Sequence, residues 1–355
     1  MILSNSLFNR DGARHGFARV LSRMAVWRPV LAWLPVAVCL LAGHAGARTL
    51  TVGADQELTN PSAAAREAES GDTVNIEPGT YYDCAVWNQN HLTIAGTGPG
   101  VVITDTTCQG KAIFIVTGNE VTIRDLTLAR ARVPDGNGAG IRLEGDGLNL
   151  ERVRFQNDQV GLLSGGDSEN PIHVTDCVFE GGGRGGDRPL YAVMVGESHV
   201  LHIEHSSFTA VMGGQVSTSA LRTELVGNHI GDGSGDNPAV AVLATGGSLV
   251  MEDNVLTIGP NAPRLGGAVL ATGEGTLALR RNVLENKTGQ SLALLLNWTG
   301  TAPVGEGNRT GPGDAVESSS GVWWHRASGF AHGLKDGVHD FLGGVKSSLK
   351  ALVGR

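Results

Sequence analysis

The side chains best suited to chemistry are gathered in residues 129–144, which hold Arg130, Arg132, Asp135, Asn137, Arg142 and Glu144, with Lys111 upstream. Guanidinium groups pair bidentately with carboxylate or sulfate. Arg130, Arg132 and Arg142, with Asn137, therefore form a candidate binding set for a uronate or sulfated sugar. A β-elimination needs charge neutralisation at the sugar carboxylate and a base for the neighbouring proton. Arg142, Asp135, Glu144 and Lys111 are the candidates for those catalytic roles. If Ile141 and Leu143 point inward on a strand, Arg142 and Glu144 point outward together. The competing reading is a loop pinned by its own salt bridges.

Other titratable groups are less suited to catalysis. His199, His202 and His205 are spaced by three, but on a strand and turn they do not converge as they would on a helix, so no metal site is expected. Most carboxylates belong to a repeat that demands a structural reading. Seven copies of apolar-x-x-[ladder residue]-x-apolar run from Ile123–Leu128 to Leu279–Leu284. Their fourth positions are Leu126, Val153, Cys177, Ser206, Asn228, Asn254 and Asn282. A period in the twenties with variable insertions marks a solenoid, whose units bury their apolar faces only by stacking. Apolar residues alternate within each unit (Leu148, Leu150; Leu277, Leu279), which is a strand period. A right-handed parallel β-helix follows.

In such a stack, side chains on adjacent coils lie about 5 Å apart. Asp125–Arg152–Asp176–His205 and Arg124–Glu151 then read as outward ion-pair ladders, and Asn228, Asn254 and Asn282 as an inward hydrogen-bonded ladder. Cys84 and Cys108 are 24 residues apart, close to one coil, so they can stack and bond; two buried thiols are the alternative. Cys177 falls in the inward column and reads as core.

A strand over Arg48–Gly53 and a short helix over Pro61–Ser70 precede Gly71-Asp72-Thr73-Val74 and Pro78-Gly79-Thr80-Tyr81. This order resembles the N-terminal cap of pectin-lyase-like β-helix proteins, in which the helix plugs the open end of the solenoid. The resemblance covers residues 48–312. It implies the fold, a polysaccharide partner and, by fold analogy only, Ca²⁺ as a cofactor; no cofactor is evident in the residues themselves. The Gly-His-Gly and paired Asp of polygalacturonases, the pectin methylesterase segment and the Asp-Pro-His-Glu pattern of C5-epimerases are absent. Activity therefore cannot be carried over residue by residue.

Ten coils are expected, opening on Val74, Leu92, Phe114, Ile141, Leu162, Val193, Val216, Val242, Val269 and Leu292. The outward column beside Arg142 reads Phe114, Arg142, Leu163, Met194 and Ser217, an apolar patch that needs a cover. The domain boundaries are a signal peptide over 1–47, the β-helix over 48–299, a linker over 300–321 and an amphipathic helix over 322–355. Basic residues, the apolar run Val30–Ala42 and Ala45-Gly46-Ala47 make the signal; Met24 is an alternative start. The chain is therefore expected to be exported to the periplasm, the outer membrane or the outside. Trp323, Ala327, Phe330, Leu334, Val338, Phe341, Val345, Leu349 and Leu352 advance by about 3.6 residues, a helical stripe. It offers a membrane surface, a protein partner or the solenoid itself as its contact. Residues 48–321 carry 17 basic against 32 acidic side chains, a net of −15, which argues against nucleic acid. Two functions remain. One binds or modifies an acidic envelope or extracellular polysaccharide, by lyase-like or hydrolase-like chemistry if catalytic. The other is a structural or adhesion β-helix tethered by its tail.

Overall fold

The computed structural model describes residues 46–319, except 166–167, 186–187, 235–239 and 261–265. The expected signal peptide, apart from its last two residues, and the expected helix over 322–355 lie outside the described residues. Within them the chain winds through three parallel sheets. Sheet A runs from Thr49–Val52 to Leu277–Arg280 and has ten strands, sheet B from Gly79–Tyr81 to Val283–Asn286 and has nine, and sheet C from Ala85–Trp87 to Ala315–Ser319 and has ten. Nine full coils contribute one strand to each sheet in the order A, B, C, while the first described turn adds only Thr49–Val52 to sheet A and the last only Ala315–Ser319 to sheet C.

Sheet A follows from alternation. In Leu148–Glu151 the two leucines are buried while Asn149 and Glu151 are half exposed, and Leu150 stacks between Ile123 and Val174. One face meets the core and the other meets water. The corner from A to B is tight. Its first residue is left-handed in all seven repeats: Asp125, Arg152, Asp176, His205, Gly227, Asp253 and Arg281 have φ between 48° and 64°. This is the third repeat position, and its N–H reaches the next coil; Arg152 N donates to Thr175 O at 3.0 Å and Asp253 N to Arg280 O at 3.0 Å. The next residue then turns inward, which places the fourth positions in the core at 0–4 % exposure.

Sheet C differs. Its strands Ala112–Val116, Ala139–Leu143, Val160–Ser164 and Tyr191–Val195 are buried at every position. Continuous apolar runs of this kind mark parallel strands covered on both faces. The inward column is Phe114, Ile141, Leu162, Val193, Val216, Val242 and Val269, as the sequence suggests, but it continues to Leu295, not Leu292. Leu292 precedes its strand. Val74 belongs to sheet A.

The opening strand spans Thr49–Val52 and the cap helix Pro61–Glu67, both shorter than expected. Asn60 caps the helix by accepting from Ala63 N at 2.9 Å, the usual service of Asn at this position. Cys84 and Cys108 form the disulfide between adjacent coils, with Cα atoms 5.5 Å apart. Cys177 is a buried thiol. The expected linker over 300–321 is corrected in its described part. Val304 bridges Ala278, Arg309 bridges Val283, and Ala315–Ser319 pairs with Ala293–Trp298. Residues 303–319 are one more coil, held by backbone hydrogen bonds that no apolar pattern announces.

Candidate functional site

The seven residues singled out by the sequence fall into three groups on neighbouring coils. Lys111, Arg142 and Glu144 come together. Glu144 Oε1 accepts from Lys111 Nζ at 2.7 Å and from Arg142 Nε at 2.9 Å. Alternation on Ala139–Leu143 brings Arg142 and Glu144 to one side, and Lys111 sits where its carbonyl accepts Ala139 N at 3.0 Å. Arg142 itself is 5 % exposed, whereas Lys111 and Glu144 remain reachable.

The second group is the loop from Arg130 to Gly138, which carries exposed Arg132 and Asp135 and half-buried Asn137. Two residues of the next coil hold it from below. Asp158 Oδ1 accepts Ala131 N at 2.7 Å, and Gln159 Oε1 accepts Val133 N at 2.9 Å and Gly138 N at 2.7 Å. Burial pushes the Asp158 carboxyl well above the usual carboxylate range, and its Oδ2 has no hydrogen-bond partner among the described residues. Sequence reasoning missed this anchor. Only the loop length hinted at it, since a nine-residue excursion needs its amides satisfied. Arg132 makes no ion pair among the described residues; its Nη1 reaches only Ala131 O at 3.5 Å.

Arg130 stands apart. Its guanidinium is bidentate on Asp105, at 2.8 and 2.6 Å. That pair holds the Asp105 carboxyl below its usual range. The corner carboxylates behave likewise: Arg152 is bidentate on Asp125 at 2.6 and 3.0 Å, and Arg281 on Asp253 at 2.8 and 2.8 Å. Of the expected ladder Asp125–Arg152–Asp176–His205 the first rung forms, whereas no ion pair joins Arg152 to Asp176 or Asp176 to His205 among the described residues, and Arg124 pairs with Asp125 at 3.0 Å instead of Glu151. Exposed pairs of this kind stabilise little.

A groove of about 550 Å³ that the sequence did not reveal lies at the A–B corner, between Gly96–Val101 and Asp125, Arg152 and Arg154. Both its arginines are already engaged, Arg154 with Glu180 at 2.7 Å. His202 Nδ1 meets Glu224 at 2.7 Å and its Nε2 meets Glu204 at 3.3 Å, while His205 occupies the corner. Among the described residues no three His, Cys, Asp or Glu side chains are grouped to hold a metal ion, and no helix is long and apolar enough to cross a membrane.

Three in-register parallel sheets, a two-residue A–B corner and a capping helix decide the fold. The chain is a right-handed parallel β-helix. No protein-family model and no curated protein sequence matches it. Among solved structures this β-helix is similar to ORF18 of Geobacillus virus E2, at 13 % identity and TM-score 0.48, over 76 % of this chain and 60 % of that one. It is also similar to a pectin methylesterase from Aspergillus niger, at 14 % identity and TM-score 0.43, over 78 % and 90 % of the two chains. A PL6 family alginate lyase, AlyGC, is 15 % identical with TM-score 0.39, over 80 % of this chain and 42 % of that one. The β-helix thus spans 60 % of the length of the viral protein. At these identities the likeness is one of fold alone.

Proposed function

We infer that this β-helix is exported and binds an acidic polysaccharide of the envelope or extracellular space at the edge between sheets B and C. The observation that carries the reading is the pinned loop, whose Arg132 is exposed without an ion pair among the described residues and which leads into the strand Ala139–Leu143, followed by Glu144 in its pair with Lys111. A loop already held by Asp158 and Gln159 binds without the cost of ordering itself. Arg132 suits a carboxylate or sulfate, Asn137 suits sugar hydroxyls, and Lys111 can move from Glu144 to the ligand. The acidic body makes such a local basic spot necessary for holding a polyanion. Glu144 pairs with both Lys111 and Arg142 through Oε1, an arrangement suited to positioning those two cations.

The test is a panel of acidic and neutral glycans, with and without Ca²⁺, at low salt. Arg132→Ala and Lys111→Ala are each expected to weaken binding about tenfold, roughly the 1.4 kcal/mol of one charge-assisted contact, with no change in melting temperature. Arg130→Ala, whose partner is Asp105, should leave binding intact. Equal binding by all variants would sink the reading. Unsaturated uronate products that disappear in Glu144→Gln would replace it with a lyase.

Export has its own support. The disulfide suits an oxidising compartment, and cleavage after Ala47 would make Arg48 the first residue. Arg48 N already lies 2.8 Å from Asp72 Oδ1, and its guanidinium lies 2.8 Å from Oδ2, so a new α-ammonium would fall on a waiting carboxylate. The Arg48 guanidinium, with the N–H groups of Glu69 and Arg48, holds the Asp72 carboxyl down at about 2. A depressed pKa contributes stability above the unfolded value near 4, lost as pH falls from about 4 to about 2. The melting temperature of Asp72→Asn should therefore lie below wild type at pH 6 and converge with it near pH 2. A constant gap across that range would remove Asp72 from the account.

A further inference from the structure

We propose that the groove at the A–B corner is an anion-binding subsite, in which Arg152 and Arg154 take a carboxylate or sulfate group of the acidic polysaccharide. The class of ligand rests on the polysaccharide reading above; the residues of the groove are separate from the loop over 130–138. One corner wider than the rest creates the space. Eight of the nine A–B corners among the described residues have two residues between their strands, whereas residues 97–100 put four between Thr93–Gly96 and Val101–Thr104. The wide corner is tied to the preceding coil: Thr97 N donates to Ile76 O at 2.9 Å, and Gly100 O accepts from Gly79 N at 3.0 Å. Toward the following coil it leaves the groove of about 550 Å³, closed at its base by Gly96, where an added Cβ would overlap Asp125 O.

Both walls have donors to spare. Gly100 has φ 86° with open space where a side chain would be, and a Cβ at Gly98 would touch only Pro78. Neither the Gly98 nor the Gly100 N–H donates to another group among the described residues, so two backbone donors of a bare turn remain for an anion. Across the groove, Arg152 holds Asp125 through Nε and Nη2, and Arg154 holds Glu180 through Nη1. A guanidinium carries five N–H donors in a planar fork. Arg152 Nη1 and Arg154 Nε and Nη2 therefore stay free of partners among the described residues. Two guanidiniums against the one carboxylate of Asp125 leave the lining positive by one charge, on a body of net charge −15. An acidic surface repels a polyanion except at such a spot. Thr127 adds a hydroxyl suited to sugar hydroxyls. Its strand, Thr127–Ala129, leads over about 10 Å to the loop over 130–138, so one polysaccharide chain can meet both places.

The test measures the affinity of the full chain for oligogalacturonate, which carries carboxylates, and for dextran sulfate, with neutral dextran as the control. Arg154→Ala should weaken binding of at least one polyanion about tenfold, the effect of one charge-assisted contact. Its melting temperature should stay the same, because the pair with Glu180 is exposed. Which polyanion loses affinity tells a carboxylate site from a sulfate site. Glu180→Gln frees the Arg154 guanidinium and should tighten binding. Glu252→Gln makes the same change of charge four coils away and should not. Arg132→Ala separates the groove from the loop. Weakening by Arg132→Ala but not by Arg154→Ala would overturn the subsite and leave the loop standing. Weakening by Arg154→Ala alone would uphold the subsite and remove the loop. Unchanged binding in both variants would overturn both. Absence of binding to either polyanion, or equal effects of Glu180→Gln and Glu252→Gln, would overturn the subsite as well.

Discussion

Replacing Asn254 with leucine should destabilise the protein by about 3–5 kcal/mol, the sum of several buried polar groups left unpaired at about 1–3 kcal/mol each. Leucine has as many side-chain heavy atoms as asparagine and is bulkier, so the loss cannot be assigned to a cavity, and overpacking adds to it. Asn254 Oδ1 accepts from both the backbone N and Nδ2 of Asn228, each at 3.0 Å. Its own Nδ2 donates to Leu225 O at 2.7 Å and to Asn282 Oδ1 at 2.9 Å. Asn228, Asn254 and Asn282 are fully buried, and water cannot replace a lost partner there. Because each coil contacts only its neighbours, hydrogen exchange should accelerate first around residues 225–230 and 279–284. Asn254→Asp keeps the acceptors, loses the donors and buries a charge. The buried carboxyl has a raised pKa, so this variant should recover stability as pH falls and its proton returns. A leucine variant within about 0.5 kcal/mol of wild type, the usual range for inert surface changes, would mean that the ladder contributes no net stability.

The same ladder shows how much the sequence could tell. Asn228, Asn254 and Asn282 are visible because apolar residues flank them at fixed offsets. The fourth rung, Asn308, accepts from Asn282 N and Nδ2 at 3.0 Å each, and it follows Asn282 by 26 residues, an ordinary period. It is hidden because its flanks are Gly305 and Thr310 where earlier coils have Leu and Ile. In this coil the apolar signal fades where the backbone pattern continues. Gly307, with φ 74°, still fills the left-handed corner.

The candidate site was legible in proportion to how local its geometry is. Alternation along one strand was enough to place Arg142 beside Glu144, and a neighbouring coil added Lys111. The pairing of Arg130 with Asp105 was not legible because Asp105 lies one coil earlier at a strand end, where register and not spacing decides the contact. Asp158 and Gln159 were missed for the same reason. The column beside Arg142 was read as beginning at Phe114, but Ile115 is the aligned residue, and Phe114 faces the core. Gly140 is where the alternation slips. A Cβ on Gly140 would lie 2.7 Å from the Phe155 ring, so it points inward next to inward Ile141, and the register skips it between Ala139 and Ile141.

The equivalent inward glycine one coil on, Gly161, which the register skips between Val160 and Leu162, belongs to the second large effect. Phe155, Phe179 and Phe208 stack on successive coils with ring centroids 4.7 Å apart and planes within 6° of parallel, at 1–2 % exposure. Phe179 is the middle ring, so Phe179→Ala removes two ring contacts and opens a cavity that its stacked neighbours cannot fill without leaving their own coils. The expected cost is about 3–5 kcal/mol, read from the midpoint of denaturant unfolding. The facing glycine makes the prediction discriminating. Gly161 has an ordinary backbone conformation, but a Cβ there would sit 2.7 Å from Phe179 Cδ1, so Gly161→Ala alone should destabilise by overpacking. In the Phe179→Ala background the ring is gone and the new methyl enters the space it leaves, resisted only by Ala192 O at 3.0 Å. The double variant should then be more stable than the two single losses predict by about 1 kcal/mol or more, a coupling expected only for groups in contact. Strict additivity would place Gly161 and Phe179 in separate packing units and break the link between the slipped register of sheet C and the aromatic stack of sheet B.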